Sequence, residues 1–355
     1  MRAGKIPGGE AGFRVEWNGV GQQARAEFSK RFMSIPAILL TRLKSLGDVV
    51  LTLPAAALVR ENFPNGRIVF LTARENAQLL QGFGMVDEVV VLDRQAFRQG
   101  RVWEGVKNVL EVGRRLRREK FSLAVDFQGY GETAILARIT GAERRWGVAG
   151  RTHRRWAFTH SVPRDPKGHP IDVNCGLLTG AGLRAVPVRN EFRLAPEHLT
   201  AAREFLGGQG FVEGRPLVYV QPFTSSPHKN WPLEHYLAVA QVWRGRGAQV
   251  IFGGGPGDRA GLERARAEGF PLATGIPRLT DAGLMKLSAL VVGGDTGFLH
   301  LAVALGRRVL MLMTYAGPGM AIPYGHPEWA LAPVGGARLA DVSPEAVLGA
   351  AADVI

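Results

Sequence analysis

Cysteine is nearly absent from this chain: Cys175 stands alone among 355 residues. That excludes an internal disulfide framework and suits a reducing compartment. No apolar run approaches the roughly 20 residues a helix needs to span a bilayer. Residues 1–32 are polar, contain glycine and lack the apolar core of a secretory signal. They are expected to be a flexible extension, and the cytoplasm is the expected compartment. Metal signals are missing too. His153, His160, His169, His228 and His300 show no ligand spacing, and there is neither a His-Glu-x-x-His helix nor a cysteine pair. No Gly-x-x-x-x-Gly-Lys-Ser/Thr loop occurs, which argues against a P-loop nucleoside triphosphatase. No metal and no cofactor is therefore expected.

Negative charge is also short, with 31 acidic against 44 basic residues and a net charge of +13. The excess crowds the first half: Arg94, Arg98, Arg101, Lys107, the run 114–120, Arg144, Arg145 and the run 151–155. Nucleic acid, an anionic membrane face or a phosphorylated substrate would each be drawn to such a surface. An ordinary solvated helix face in an arginine-rich protein has the same composition.

What the chain does have is glycine, 46 residues of it, and 46% hydrophobic residues in short runs, the profile of an α/β protein with many tight turns. Strands are expected at 35–42, 67–72, 88–92 and 122–126, with helices at 49–62, 75–81, 102–119 and 132–139. A helix and linker follow at 195–215. The pattern then restarts with strands at 217–221 and 249–252, a helix at 233–244, and a glycine turn at 253–257 leading to a helix that ends near 268. Strands alternating with helices imply parallel sheets, here one per half. The expected domains are 33–195 and 216–340, joined by 196–215, with a C-terminal helix in 341–355 free to pack back on the first domain. Two such halves place a ligand in the cleft between them.

Five short segments carry candidate chemistry. In the last of them, Val291-Val-Gly-Gly-Asp295-Thr296-Gly297, a strand ends in two glycines and Asp295 and Thr296 cap the next helix. The free N–H groups and dipole at that helix start would suit an anion, although any α/β crossover needs such caps. Ser45-Leu-Gly47-Asp48 lies where a strand meets a helix, so Asp48 is either an N-cap or a carboxylate facing the cleft as a general base. The loop 222–232 gathers Thr224, Ser225, Ser226 and Lys229, hydroxyls and a point charge that suit a diphosphate. Gly253 and Gly255 superficially fit a dinucleotide fingerprint, but the third glycine position is Asp258, so a nicotinamide cofactor is not indicated. Asp126-Phe-Gln128-Gly129 ends a strand and points a polar group at the cleft.

Taken in order, Leu-Gly-Asp48, Asp126-x-Gln-Gly129, Lys229-x-Trp-Pro232 and Asp295-Thr-Gly-x-x-His-Leu301 resemble the lipopolysaccharide heptosyltransferases, bacterial glycosyltransferase family nine, over about 35–355. The resemblance implies a GT-B fold of two Rossmann-like domains facing a central cleft, and inverting transfer of heptose from ADP-heptose to the inner core of lipopolysaccharide. It implies that Asp48 is the base. Thr224, Ser225, Lys229, Asp258, Asp295, Thr296 and Gly297 would hold the donor, and Arg42, Arg94, Arg98 and Gln128 the acceptor. It also implies a lipid A–core partner, peripheral contact with an anionic membrane surface, and no nucleic-acid partner. Lys44 replaces the hydroxyl residue common in the family before Ser45, and no basic residue follows Gln128-Gly129. Both departures fall on the acceptor side. Phe223-Thr-Ser-Ser226 lacks the small Gly-Ala pair often found there. Another GT-B nucleotide-sugar enzyme, with a different donor or epimerase chemistry, is the alternative, and a nucleic-acid-binding protein the second.

Overall fold

Both halves of the chain are built on the same sheet topology. The computed structural model describes residues 36–355 apart from 95, 97, 98, 149–151, 164, 336 and 337. The expectations for 1–32 and for Arg98 fall outside the described residues. The first sheet holds β1 (Ala37–Thr41), β2 (Arg67–Ala73), β3 (Glu88–Leu92), β4 (Leu123–Asp126), β5 (Arg144–Val148) and β6 (His160–Val162), in the order β3-β2-β1-β4-β5-β6. The second holds β7 (Leu217–Gln221), β8 (Gln249–Gly254), β9 (Leu272–Thr274), β10 (Leu290–Gly294), β11 (Arg308–Leu312) and β12 (Ala330–Leu331), in the order β12-β11-β10-β7-β8-β9. Read from the other edge, the second order is the first one repeated. Every pairing is parallel, as near-continuous apolar strands such as Ile38-Leu-Leu40 and Val291-Val292 require. The pair of Rossmann-like sheets is the expected α/β, GT-B architecture.

The helices connecting these strands are α1 (Leu46–Val50), α2 (Leu53–Asn62), α3 (Arg74–Gln81), α4 (Val102–Arg118), α5 (Gly131–Ile139) and α6 (Pro170–Gly180) in the first half. In the second they are α7 (Pro196–Gly208), α8 (Leu233–Gly245), α9 (Glu263–Ala267), α10 (Arg278–Leu287), α11 (Gly297–Ala304) and α12 (Pro344–Ala350). The single helix expected over 49–62 is two helices. Pro54 has no N–H to give to the Val50 carbonyl and its ring crowds that carbonyl, so α1 ends and α2 starts afresh from Thr52. The long helix expected before 268 is likewise reduced to short 3-10 turns and α9, because Pro256, Gly257 and Gly261 interrupt it.

α12 corrects a further expectation. It does not return to the first domain. Val347 and Ala351 are fully buried in the second half's core with Trp231, Tyr236 and Trp243. The Trp231 indole N–H donates to the Val342 carbonyl at 2.9 Å, tying the end of the 222–232 loop to this C-terminal segment. α7, from the stretch read as helix and linker, packs on α10: a Cβ at Gly283 would lie 2.6 Å from the His198 carbonyl and 2.7 Å from Ala202.

Candidate active site

In a doubly wound sheet the ligand crevice opens where strand order reverses, at the C-terminal ends of the two strands that flank the switch. Here those strands are β1 and β4 in the first half and β7 and β10 in the second. Arg42 and Asp48 follow β1, Gln128 follows β4, Thr224 and Lys229 follow β7, and Asp295 to Gly297 follow β10. The candidate residues thus leave the ends of these four strands, apart from Asp258, which follows β8, and Arg94, which follows β3.

Asp48 is the third residue of α1, and its carboxylate turns back to accept the Ser45 N–H at 2.7 Å and the Ser45 hydroxyl at 3.2 Å. It is therefore the N-cap partner that its sequence position allowed. It is also an ion-pair partner: the Arg42 guanidinium lies 2.6 Å from its other oxygen. Arg42 is 7% exposed and also donates to the Phe127 carbonyl, so it braces Asp48 against the β4 loop. Gln128 is similarly occupied. Its side-chain oxygen accepts the N–H groups of Leu43 and Lys44 at 3.1 Å each, pinning the chain that leads into α1. Beneath it, burial pushes the Asp126 carboxyl up to about 6, offset in part by Thr133 and by the N–H groups of Gln128 and Gly129. Gly129 adopts φ 67°, and a Cβ there would meet the Val148 carbonyl at 2.2 Å, so only glycine fits.

Arg42, Asp48, Gln128 and Tyr130 line a cavity of about 440 Å³ together with Asp165 and Asn174. Gly319 closes it from the second half, its N–H donating to the Lys167 carbonyl at 2.9 Å. Arg94 lies near α5, pairing with Glu132 at 3.2 Å.

On the second half, Lys229 and Asp295 meet at 2.7 Å. The other Asp295 oxygen is 3.3 Å from the His300 ring, one turn into α11. Burial would raise the Asp295 carboxyl, but the His300 and Lys229 hydrogen bonds outweigh it and bring it down to about 2. An anion so held orients the lysine; its own charge would repel a phosphate. Thr296 caps α11, accepting the Leu299 N–H at 3.4 Å. Thr224 spends its hydroxyl inside its loop, donating to the Ser226 carbonyl at 2.8 Å, and Ser225 is exposed. The loop leans over the end of β10, where a Cβ at Gly294 would lie 2.6 Å from Thr224. Asp258 accepts the Gly255 N–H at 2.8 Å within its own turn, and it makes no hydrogen bond or ion pair with Lys229 or Asp295 among the described residues.

The two groups of residues meet at two glycines. A Cβ on Gly297 would lie 2.5 Å from the Gly47 nitrogen, and one on Gly47 would lie 3.3 Å from the Gly297 Cα. The start of α11 therefore rests on the residue preceding Asp48. His300, which the sequence offered as a histidine without metal spacing and as a member of the Asp295-Thr-Gly-x-x-His-Leu301 motif but with no role of its own, reaches the same point: its ring lies 3.5 Å from where a Gly47 Cβ would be. Its i+4 relation to Thr296 and i+5 to Asp295 was the available signal. Asp165, Asn174 and Gly319 gave none, because long-range folding alone brings them to the cavity.

The glycosyltransferase family 9 (heptosyltransferase) model matches residues 109–332, more than half of the chain. Lipopolysaccharide heptosyltransferase 1 of Pseudomonas aeruginosa is 27% identical over 312 residues, covering 82% of this chain and 82% of that protein. Among solved structures, a family 9 glycosyltransferase from Veillonella parvula superimposes with a TM-score of 0.79 at 22% identity, covering 91% and 98% of the two chains. The Escherichia coli heptosyltransferase WaaC, solved with ADP-2-deoxy-2-fluoro heptose, gives 0.71 at 20% identity over 89% and 99%. With its paired Rossmann-like sheets and its ordered cleft motifs set beside these matches, the chain belongs to glycosyltransferase family 9, the heptosyltransferases, and is a glycosyltransferase.

Proposed function

We propose that this enzyme transfers heptose from ADP-heptose, with inversion, to a 3-deoxy-octulosonate or heptose residue of the lipopolysaccharide inner core, at the cytoplasmic face of the inner membrane. The observation that carries the reading is the contact between Gly47 and Gly297, which brings the residue before Asp48 against the helix start that adjoins Lys229 and Asp295. The names of the relatives point to lipopolysaccharide, and the sugar nucleotide bound to WaaC points to the donor.

In this reading the acceptor enters the Asp48 cavity and the donor diphosphate lies against the 222–232 loop and the start of α11. The bond between the anomeric carbon and the diphosphate oxygen breaks as the acceptor oxygen attacks from the opposite face. Asp48 takes the hydroxyl proton, and ADP leaves with the bonding electron pair. Lys229, with the N–H groups of Gly297 and the following residue, stabilises the charge on the leaving group. Asp295 and His300 hold the lysine in place. Thr224 and Ser225 shape the phosphate loop, and Asp258 receives the nucleoside. Arg42 and Gln128 set Asp48, while Arg94 and Arg98 meet acidic groups of the acceptor.

The family match begins at residue 109 and so does not include Asp48. The test is therefore a donor screen joined to a base test: thermal shift with ADP-, UDP-, GDP- and CMP-sugars, then transfer to a defined inner-core acceptor by wild type and Asp48→Asn. Stabilisation by an ADP-sugar and acceptor-dependent ADP release are expected. A different nucleotide preference, or conversion of the sugar nucleotide without acceptor, would overturn the reading in favour of another nucleotide-sugar chemistry.

A further inference from the structure

The outward face of α4 carries side chains that water does not favour. Trp103 is 85% exposed, Leu110 50% and Val106 36%. At spacings of three and four these form one stripe, opposite the face that buries Gly105, Val112 and Leu116 in the core. The helix therefore has two apolar sides, and among the described residues only one packs in a core. The next exposed positions on the outer stripe are Arg114 and Arg117, flanked by Lys107 and Arg118. Six basic residues (101, 107, 114, 115, 117 and 118) face two acidic ones, Glu104 and Glu111, between 101 and 118. Arg114 and Arg118 form no ion pair among the described residues.

The face continues onto neighbouring elements. Ile139 of α5 lies against Gly113 of α4, and both Ile135 (50%) and Ile139 (37%) remain exposed. Trp156, 59% exposed, sits on the turn whose Ala157 packs on Ala134 and Ala137 of α5. Arg138 and Arg155 are exposed beside them. At its other end α5 begins from Tyr130, on the rim of the Asp48 cavity.

We infer that the α4–α5 face docks on a bilayer surface containing anionic lipid and so presents the Asp48 cavity to a lipid-anchored acceptor. The placement of the acceptor rests on the function proposed above; the docking itself does not. Charge decides the occupant. Protruding indole and aliphatic tips ringed by arginines match the interfacial depth of a lipid headgroup layer with negative charge. A duplex nucleic acid would use the arginines and gain nothing from Trp103, Val106 and Leu110. A second copy of the chain would bring the same excess of positive charge, +13 per chain, to the contact.

The experiment is co-sedimentation of the full chain with phosphatidylcholine vesicles, with and without phosphatidylglycerol, at two salt concentrations. Trp103→Ser with Leu110→Ser removes the apolar tips, and Arg114→Glu with Arg118→Glu removes the charge; all four positions are solvent-exposed, and circular dichroism checks the fold. Binding only to the anionic vesicles is expected, weakening with salt. The double serine variant should lose at least tenfold in affinity, and each arginine reversed about fivefold or more, from roughly 1 kcal/mol per basic residue near the surface. Transfer to a delipidated inner-core oligosaccharide should be unchanged in the serine variant, so failure of the transferase reading and failure of docking are separable. No binding to anionic vesicles, equal binding by the serine variant, or a concentration-dependent dimer that the serine variant dissolves would overturn the inference.

Discussion

Replacing Asp48 by Asn tests two roles that the structure gives to one carboxylate. As a cap, Asn keeps an oxygen that can accept the Ser45 N–H, now bonded at 2.7 Å, so α1 should survive. As a counter-ion, Asn fails. Arg42 has a side chain only 9% exposed, and its Nε already lacks a partner among the described residues. Asp48, at 35%, is partly open to water. The cost should fall between that of a surface pair, below about 1 kcal/mol, and the ~3–5 kcal/mol of breaking a fully buried one. About 1–3 kcal/mol is expected, a fall in Tm of roughly 2–5 °C for a chain of this size. Loss of the base should lower kcat by about 10²- to 10⁴-fold, with the affinity for ADP unchanged because Asp48 stands on the acceptor side. Thermal melting, calorimetric titration of ADP and single-turnover transfer separate these effects. Transfer within about tenfold of wild type would show that Asp48 only caps α1 and neutralises Arg42, and the proposed base would be abandoned.

Lys229→Ala should lower kcat by the ~2–4 kcal/mol typical of a preorganised charge stabiliser, measured by steady-state kinetics; an effect confined to the acceptor KM would place the lysine on the wrong side of the cleft. Gly297→Ala puts a Cβ 2.5 Å from the Gly47 nitrogen, so α1 and α11 must separate. A loss of about 10²-fold in kcat/KM is expected for a misplacement near 1 Å, and activity close to wild type would mean the glycine contact does not position the site. Asp281 is pushed up to about 7 by burial, despite the Tyr219 hydroxyl donating to it at 2.6 Å. Between its ordinary value near 4 and about 7 the folded protein holds a proton that the unfolded chain has lost, so stability should fall as pH rises through that window and level off above it. In Asp281→Asn, Tm measured from pH 4 to 8 should lose most of that slope; an unchanged slope would assign it elsewhere, Asp126 being the other buried carboxyl with the same sign.

The parts of this enzyme that were legible in its sequence are those where local chemistry dictates the backbone. β1, β4, β7 and β10 read clearly because strands buried on both faces must be runs of Val, Ile and Leu, and the segment after each ends in Gly, Asp, Thr or Pro where the chain turns into the cleft. β5 and β6 were not legible. β5 opens with Arg144-Arg145, which read as surface charge, and only its last three residues are buried, so no apolar run announces it. α6 and α10 were hidden as well. The first starts from a His169-Pro170 turn and the second from Pro277, and a proline at a boundary reads as a loop rather than as the start of a helix.

At the site, residue identities were legible but partners were not. Asp295 and Lys229 lie far apart in sequence, and nothing local says that the carboxylate orients the lysine. Arg42 stood six residues before Asp48, near enough to be noticed, yet its bond to the β4 loop from the cavity wall depends on Phe127, 85 residues away. Such pairings arise because β1 lies beside β4, and β7 beside β10, so that loops far apart in sequence leave the sheet at the same point. A cap, a glycine and a lysine, each ordinary alone, then become one site because the strands that carry them end at the same crevice. Chemistry distributed in this way is visible in sequence as an order of motifs, and its geometry appears only when the two halves are seen in contact at Gly47 and Gly297.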